Sequence, residues 1–233
     1  MSNIYLTGDT HGDVFERLLT LKKSTDLTKS ENILIVLGDL GLIWNSKYYK
    51  QVRYIERYIK DNNLNLKILS VKGNHENFDI INTLPKVELF GNEVLKISDN
   101  IYFFENGSLY EIFGNKFAVF GGALSIDKHL RKEGITWWED EIPSKKIMSK
   151  FVDELDKVDT RDYILLTHTT ATDEIYSLDM YPMEGKLTDD VAQYLNFIKK
   201  HYMFKTHYFA HFHMNKFVEE TNSMCLFKYI IKL

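Results

Sequence analysis

Three short apolar, β-branched runs, Ile4 to Thr7, Ile33 to Leu37 and Leu66 to Val71, alternate with stretches of helical periodicity. The first such stretch sets Phe15, Leu18 and Leu19 on one face, and the second sets Tyr48, Val52, Ile55 and Ile59 at near-helical spacing. Both read as amphipathic crossovers of a βαβαβ unit. The middle of the chain changes character: Ile101 to Phe104, Leu109 to Phe113 and Lys116 to Phe120 are joined by Asn106-Gly107 and Gly114-Asn115. Such dipeptides signal hairpins. A loop from Gly121 to Pro143 follows, then a helix from about Ser144 with Ile147, Phe151 and Leu155 on one side. The α/β alternation returns with Tyr163 to Thr167, a helix carrying Val191, Tyr194, Leu195 and Ile198, and the run His207 to Ala210, and Met224 to Ile231 reads as one last strand. The pattern predicts one α/β domain over residues 1–233, with two sheets in contact and helices outside.

Composition narrows the class. With 44% apolar and 14% aromatic residues in 233, the chain can bury a full core, which excludes disorder and a disulfide-dependent scaffold. The 29 basic residues against 33 acidic ones leave a net charge of −4, so there is no basic excess of the kind that grips duplex nucleic acid. The sole cysteine, Cys225, cannot pair within the chain, which fits a reducing compartment. The most apolar stretch, Ile33 to Ile43, is interrupted by Asp39 and falls short of the roughly 20 residues of a membrane span. Met1 to Leu6 runs straight into Gly8-Asp9 without the features of a signal peptide. The expected location is the cytoplasm.

The chemistry lies at the strand ends. Three apolar runs end in Gly8-Asp9-Thr10-His11-Gly12, Gly38-Asp39-Leu40-Gly41 and Gly73-Asn74-His75-Glu76, and two later ones end in His168 and in His211-Phe212-His213. Five of the eight histidines lie in these elements. Open α/β sheets place ligands beyond the carboxyl ends of their strands, so these side chains can converge on one crevice. Glycine in each of the first three elements permits tight turns and close backbone approach. Carboxylate, amide oxygen and imidazole suit zinc, manganese or iron, and the seven groups exceed the need of one tetrahedral ion. Two metals sharing a carboxylate, acting on a phosphoester, fit best.

This ordered set resembles the calcineurin-like metallophosphoesterases, whose elements run D-x-H, G-D, G-N-H-[DE], H and G-H-x-H; here they span Asp9 to His213. The resemblance implies an α/β, four-layer αββα sandwich of two mixed sheets flanked by helices, with the metal site at the C-terminal ends of strands. It implies that Asp9, His11 and His213 hold a first divalent metal, that Asn74, His168 and His211 hold a second, and that Asp39 bridges them. Manganese is the first choice, with iron, zinc or nickel as alternatives. A bridging hydroxide would attack phosphorus, while His75, no ligand, would stabilise developing charge and protonate the leaving oxygen.

There are departures. Protein Ser/Thr phosphatases of this superfamily extend the second element to G-D-x-x-D-R-G and place Arg before the third, whereas here Leu42-Ile43 and Lys72 stand there. The last element begins with Ala210 instead of glycine. The segment Gly121 to Asp127, with Arg131 nearby, resembles one in small bacterial and phage members, and Arg131 or His129 is expected to reach the substrate phosphate. The string Trp137-Trp138-Glu139-Asp140-Glu141 is expected to pack its indoles on the core and leave its acids in water, the alternative being a lid over the metals. His201 and His207, the crowded Tyr48, Tyr49, Tyr54 and Tyr58, and Cys225 read as structural.

The expected function is phosphomonoester hydrolysis on a small or flexible phosphorylated molecule, nucleotide or peptide, with no membrane partner. A nuclease or cyclic-nucleotide phosphodiesterase is the alternative, since a short single-stranded or cyclic substrate needs no broad basic face. A scaffold that lost turnover is the alternative of another class, against which the complete ligand set stands. The oligomeric state stays open.

Overall fold

The computed structural model describes residues 2–45, 47–180 and 189–233. The first sheet contains β1 (Asn3–Thr7), β2 (Asn32–Val36), β3 (Leu66–Ser70), β4 (Lys86–Leu89), β5 (Asn92–Lys96), β6 (Ile101–Phe104) and β13 (Ile230–Lys232), in the order β13-β1-β2-β3-β6-β5-β4. The second contains β7 (Ser108–Ile112), β8 (Asn115–Phe120), β9 (Tyr163–Thr167), β10 (Thr206–Phe209), β11 (Lys216–Val218) and β12 (Ser223–Cys225), in the order β11-β12-β10-β9-β8-β7. Both sheets are mixed: β1, β2, β3 and β6 run parallel, as do β8, β9, β10 and β12, with antiparallel strands at the edges.

Side-chain alternation explains the layers. Along β2 and the residue after it, Ile33, Ile35 and Leu37 face the second sheet and pack with Val119 and Leu166, while Leu34 and Val36 face outward. The outward face is covered by α1 (Val14–Ser24) through Val14, Leu18 and Leu21 and by α2 (Tyr49–Asp61) through Val52, Ile55 and Ile59. On the other side, α4 (Lys145–Leu155) and α6 (Asp190–His201) cover Phe120 and Leu165 with Phe151, Leu155, Val191, Leu195 and Ile198. Two short helices, α3 (Phe78–Ile81) and α5 (Thr172–Tyr176), complete the described helices, and the order of layers is αββα.

Four details depart from expectation. Asn106-Gly107 closes no hairpin: β6 and β7 on either side of it lie in different sheets, because the chain crosses the sandwich there. The buried stripe of α1 is Val14, Leu18 and Leu21, so Phe15 is only partly covered and Leu19 lies outside the core cluster. The run Met224 to Ile231 is two strands in different sheets, because the chain crosses the sandwich between Cys225 and Ile230; there Asn215 Oδ1 accepts from the amides of Phe227 and Tyr229. The β4–β5 hairpin is unexpected although it carries Gly91-Asn92: it turns through Phe90-Gly91, both at positive φ, as β7–β8 turns through Phe113-Gly114. Its edge strand β4 exposes Lys86 and Glu88, which blunts both the apolar pattern and edge-to-edge pairing.

A buried ionic cluster ties α5, α6, β10 and β12 together. Glu174, 2% exposed, accepts from Lys199 Nζ, Thr170 Oγ1 and Ser223 Oγ. Lys199 also donates to His207 Nδ1 at 3.1 Å, which leaves His207 Nε2–H for Thr167 Oγ1 at 2.7 Å and makes His207 a neutral structural residue. Burial pushes His207 down to about 4. Burial raises Glu174, but His207 and Lys199 outweigh it and hold the carboxyl well below the usual range. Replacing Glu174 by alanine strands the buried Lys199 charge and is expected to cost about 3–5 kcal/mol in urea unfolding near neutral pH. Because the folded value is depressed, this contribution is present above the unfolded value of about 4.3 and fades as pH falls below it. A loss under about 1 kcal/mol would show the cluster to be dispensable.

Candidate metal centre

The parallel order of β1, β2 and β3 in one sheet and of β9 and β10 in the other brings five carboxyl ends to one rim. Asp9 and His11 follow β1, Asp39 follows β2, Asn74 and His75 follow β3, His168 follows β9, and His211 and His213 follow β10. The turns are strained. His11, Asp39, His211 and His213 have φ of 45°, 49°, 67° and 52°, in the left-handed region that costs a non-glycine residue about 1–2 kcal/mol. Such outliers gather where structure is held for function.

Two glycines make room. A Cβ on Gly38 would meet His168 Nδ1 at 2.2 Å, and one on Gly73 would meet Asp39 Oδ1 at 2.1 Å. The second glycine allows the Asn74-His75 turn to lie on the carboxylate, where the His75 amide donates to Asp39 Oδ1 at 2.7 Å. On the other side the His211 amide donates to Asp9 Oδ1 at 3.0 Å, and Arg17 Nη2 donates to the Asp9 carbonyl at 3.2 Å.

The side chains fall into two sets. Asp9, His11 and His213 bring ligand atoms within 4.8 Å of one another, as do Asp9, Asp39 and His168. Asp39 faces both ways: Oδ2 lies 3.8 Å from His11 Nε2 and Oδ1 lies 3.4 Å from His168 Nε2. Asn74 Oδ1 is 2.9 Å from His168 Nε2, and the rings of His168 and His211 lie 5.0 Å apart.

The donor chemistry fits divalent cations. His168 Nδ1–H donates to the Leu37 carbonyl at 2.8 Å, which turns Nε2 toward the Asn74 carbonyl oxygen at 2.9 Å, where a proton or a cation must stand. The Nε2 atoms of His11 and His213 approach to 2.9 Å, and the buried Asp9 Oδ2, 3.0 Å from His213 Nε2, makes no hydrogen bond. Electron-rich atoms in such contact require protons or cations between them. Consistent with this demand, burial lowers His168 but Asp39 and Asp9 outweigh it and push it up to about 9; His213 is raised by its contact with Asp9. Asp39, raised by burial alone, is held well below the carboxylate range by His168, His75 and His11, and burial pushes His211 down to about 3.

A cavity of about 340 Å³ opens beside these groups. Besides ligand candidates its wall includes His75, Ser125, Ile126, Asp127, Met180 and Phe212. His75 is half-buried, its ring 5.4 Å from that of His11 and 6.5 Å from that of Trp44, and burial lowers its pKa. Trp44, not singled out in the sequence, packs beside the imidazole and meets Trp138 edge-on at 5.7 Å. Neither Arg131 nor His129 is among the lining residues. Arg131 is tied to Asp127 Oδ1 at 2.7 Å and to the Thr136 carbonyl at 3.1 Å, while His129 is exposed on a 3-10 turn.

The Trp137–Glu141 segment corrects another expectation. Trp138 is buried, with Nε1 donating to Asp79 Oδ2 at 2.8 Å, and Glu139 and Asp140 are exposed; Glu141, however, is fully buried. It accepts from Ser125 at both oxygens, so only two of the three acids stand in water. An acidic string gives no sign that its third member turns inward, and Ser125 and Glu141 are the residues that sequence reasoning missed.

Comparison with known proteins agrees with this geometry. A solved crystal structure aligns over 96% of this chain and 89% of its own, with a TM-score of 0.51 at 14% identity, a likeness that shows the fold alone. No curated protein matches the sequence. A family model described as calcineurin-like phosphoesterase matches residues 2–215, from before the first candidate ligand to beyond the last. With nearly the whole chain matched, and with its two mixed sheets carrying Asp/His clusters at one rim, this protein belongs to the calcineurin-like phosphoesterase family.

Proposed function

We propose that this chain hydrolyses phosphoesters at a centre of two divalent cations, and that its substrate is a phosphomonoester on a small or flexible molecule. The observation that carries the reading is the convergence of metal-ligating groups on one rim, with ligand atoms of Asp9, His11 and His213, and of Asp9, Asp39 and His168, each within 4.8 Å of one another. Asp9, His11 and His213 would hold one cation, Asn74, His168 and His211 the other, and Asp39 both. The all-nitrogen-and-oxygen donor set supports manganese, with iron, zinc or nickel as alternatives. When bound, two such ions lower the pKa of water and neutralise charge on a phosphoryl group.

The chain's own residues supply the rest. His75 lines the cavity without belonging to either ligand set, so its imidazole is placed to hydrogen-bond a phosphoryl oxygen and to hand a proton to the leaving oxygen. Trp44 stands beside the ring, 6.5 Å between centroids. The cavity volume is that of a small-molecule pocket, which is compatible with a small substrate or a flexible chain end. No helix among the described residues is long and apolar enough to cross a membrane, and the buried free thiol of Cys225 supports a cytoplasmic setting.

One observation favours a diester as the second reading. Asp127, its pKa lowered by Arg131, puts a carboxylate on the cavity wall beside the apolar Ile126, Met180 and Phe212, a lining that opposes a dianion and suits a second ester group. The test is the ratio of turnover on p-nitrophenyl phosphate to that on bis-p-nitrophenyl phosphate, with Mn²⁺ restored to metal-stripped protein. Dominant monoester hydrolysis is expected. Dominant diester hydrolysis would establish the second reading, and no metal-dependent hydrolysis of either would overturn both.

A further inference from the structure

The buried Glu141 stands next to the metal centre without touching it. Its Oε1 accepts from the Ser125 amide at 2.8 Å and its Oε2 from the Ser125 hydroxyl at 2.6 Å. Ser125 Oγ accepts in turn from Asn74 Nδ2 at 3.0 Å, and Glu141, Ser125 and Asn74 are 0%, 3% and 4% exposed. The loop that carries Glu141 is tied to the chain on both sides of Asn74: Trp138 reaches Asp79, Asp140 accepts from Asn82 at 2.9 Å, and the Gly122 amide reaches the Lys72 carbonyl at 2.8 Å.

The polarity of this chain is determined throughout. An asparagine amide has an oxygen and an NH₂ of nearly equal shape, and its partners decide which end points where. The hydroxyl proton of Ser125 is committed to the Glu141 carboxylate, so Oγ offers Asn74 only a lone pair. The NH₂ of Asn74 must therefore face Ser125, and its carbonyl oxygen must face His168 Nε2 at 2.9 Å. A reversed amide would set two acceptors together at Ser125 and present N–H groups where a cation would be held.

We propose that Glu141 and Ser125 are positioning residues: their carboxylate–hydroxyl pair fixes the direction of the Asn74 amide and so presents its carbonyl oxygen to the second divalent cation. The proposal rests on the dinuclear reading above. It assigns a task to an acidic string whose pattern suggests only a solvated loop, and it makes the second metal site depend on a carboxylate outside both ligand sets.

Mn²⁺ titration of the metal-stripped full chain by calorimetry tests it, with Glu141→Gln and Ser125→Ala as variants and thermal melts of the metal-free proteins as a folding control. Glutamine matches glutamate in size but cannot accept at both ends, so one of its contacts with Ser125 becomes donor-to-donor or the hydroxyl proton is driven toward Asn74. Both variants are expected to bind the first Mn²⁺ as wild type does and the second about 10- to 100-fold more weakly, the usual range for partners that orient a metal ligand. A merely space-filling role predicts a silent Glu141→Gln, and that result overturns the proposal, as does an equal loss at both sites. If Ser125→Ala fails to fold, the isosteric Glu141→Gln decides alone. Wild type binding fewer than two Mn²⁺ would overturn the dinuclear reading itself, whereas two in wild type and an unchanged second affinity in both variants would overturn only the positioning role.

Discussion

Replacing Asp39 by asparagine is expected to lower turnover on the best p-nitrophenyl ester by about 10³-fold or more and to reduce bound Mn²⁺ below two per chain. The expected size comes from the several kcal/mol that a cation contributes to a phosphoryl transition state, at about 1.4 kcal/mol per tenfold in rate. Asparagine isolates the charge. It keeps an acceptor for the His75 amide, and it tolerates the left-handed φ of 49° that a larger or branched residue would resist. The variant should therefore fold and fail at binding the metals that Asp39 faces through its two oxygens. Steady-state kinetics with metal content by mass spectrometry make the check. Near-wild-type turnover with two metals bound would remove Asp39 from the bridging position.

His75→Ala is expected to separate chemistry from metal binding. Turnover should fall by about 10²- to 10⁴-fold, the range for a lost general acid, while both Mn²⁺ stay bound with unchanged affinity. The loss should also grow with the basicity of the leaving alcohol: p-nitrophenolate departs without a proton, whereas an alkoxide does not. Comparing the variant on p-nitrophenyl and alkyl esters distinguishes a proton donor from a group that only neutralises phosphoryl charge. A loss equal on both would assign His75 the electrostatic role alone. Loss of a metal would show that the ring, 5.4 Å from that of His11, supports the first ligand set instead.

The fold was legible where periodicity and turn chemistry agreed. The core strands β1, β2, β3, β6, β8 and β9 stand within a residue or two of the apolar runs, because central strands buried on both faces read as continuous hydrophobic stretches. The edge hairpin β4–β5 was hidden by its strand pattern: an edge strand half in water alternates charge with apolar residues, which left the Gly91-Asn92 dipeptide, the same as Gly114-Asn115, without flanking apolar runs to mark it. The split of Met224 to Ile231 was hidden because an apolar run records burial and says nothing of which sheet buries it.

What the sequence by itself determined is the set of strand-end groups. Asp9, His11, Asp39, Asn74, His75, His168, His211 and His213 are identifiable because each closely follows an apolar run, and Asp9, His11, Asp39 and Asn74 also adjoin a glycine that permits a tight turn. Only the tertiary structure decided what surrounds them. It put Arg131 on Asp127 and out of the cavity lining, set Trp44 beside His75, and buried Glu141 while leaving Glu139 and Asp140 in water. The reason is physical: a turn depends on residues a few positions apart, but burial of a carboxylate and the direction of an amide depend on partners brought from distant positions. Asn74, Ser125 and Glu141 lie far apart in the chain and meet only when the loop after β8 folds back over the turn after β3.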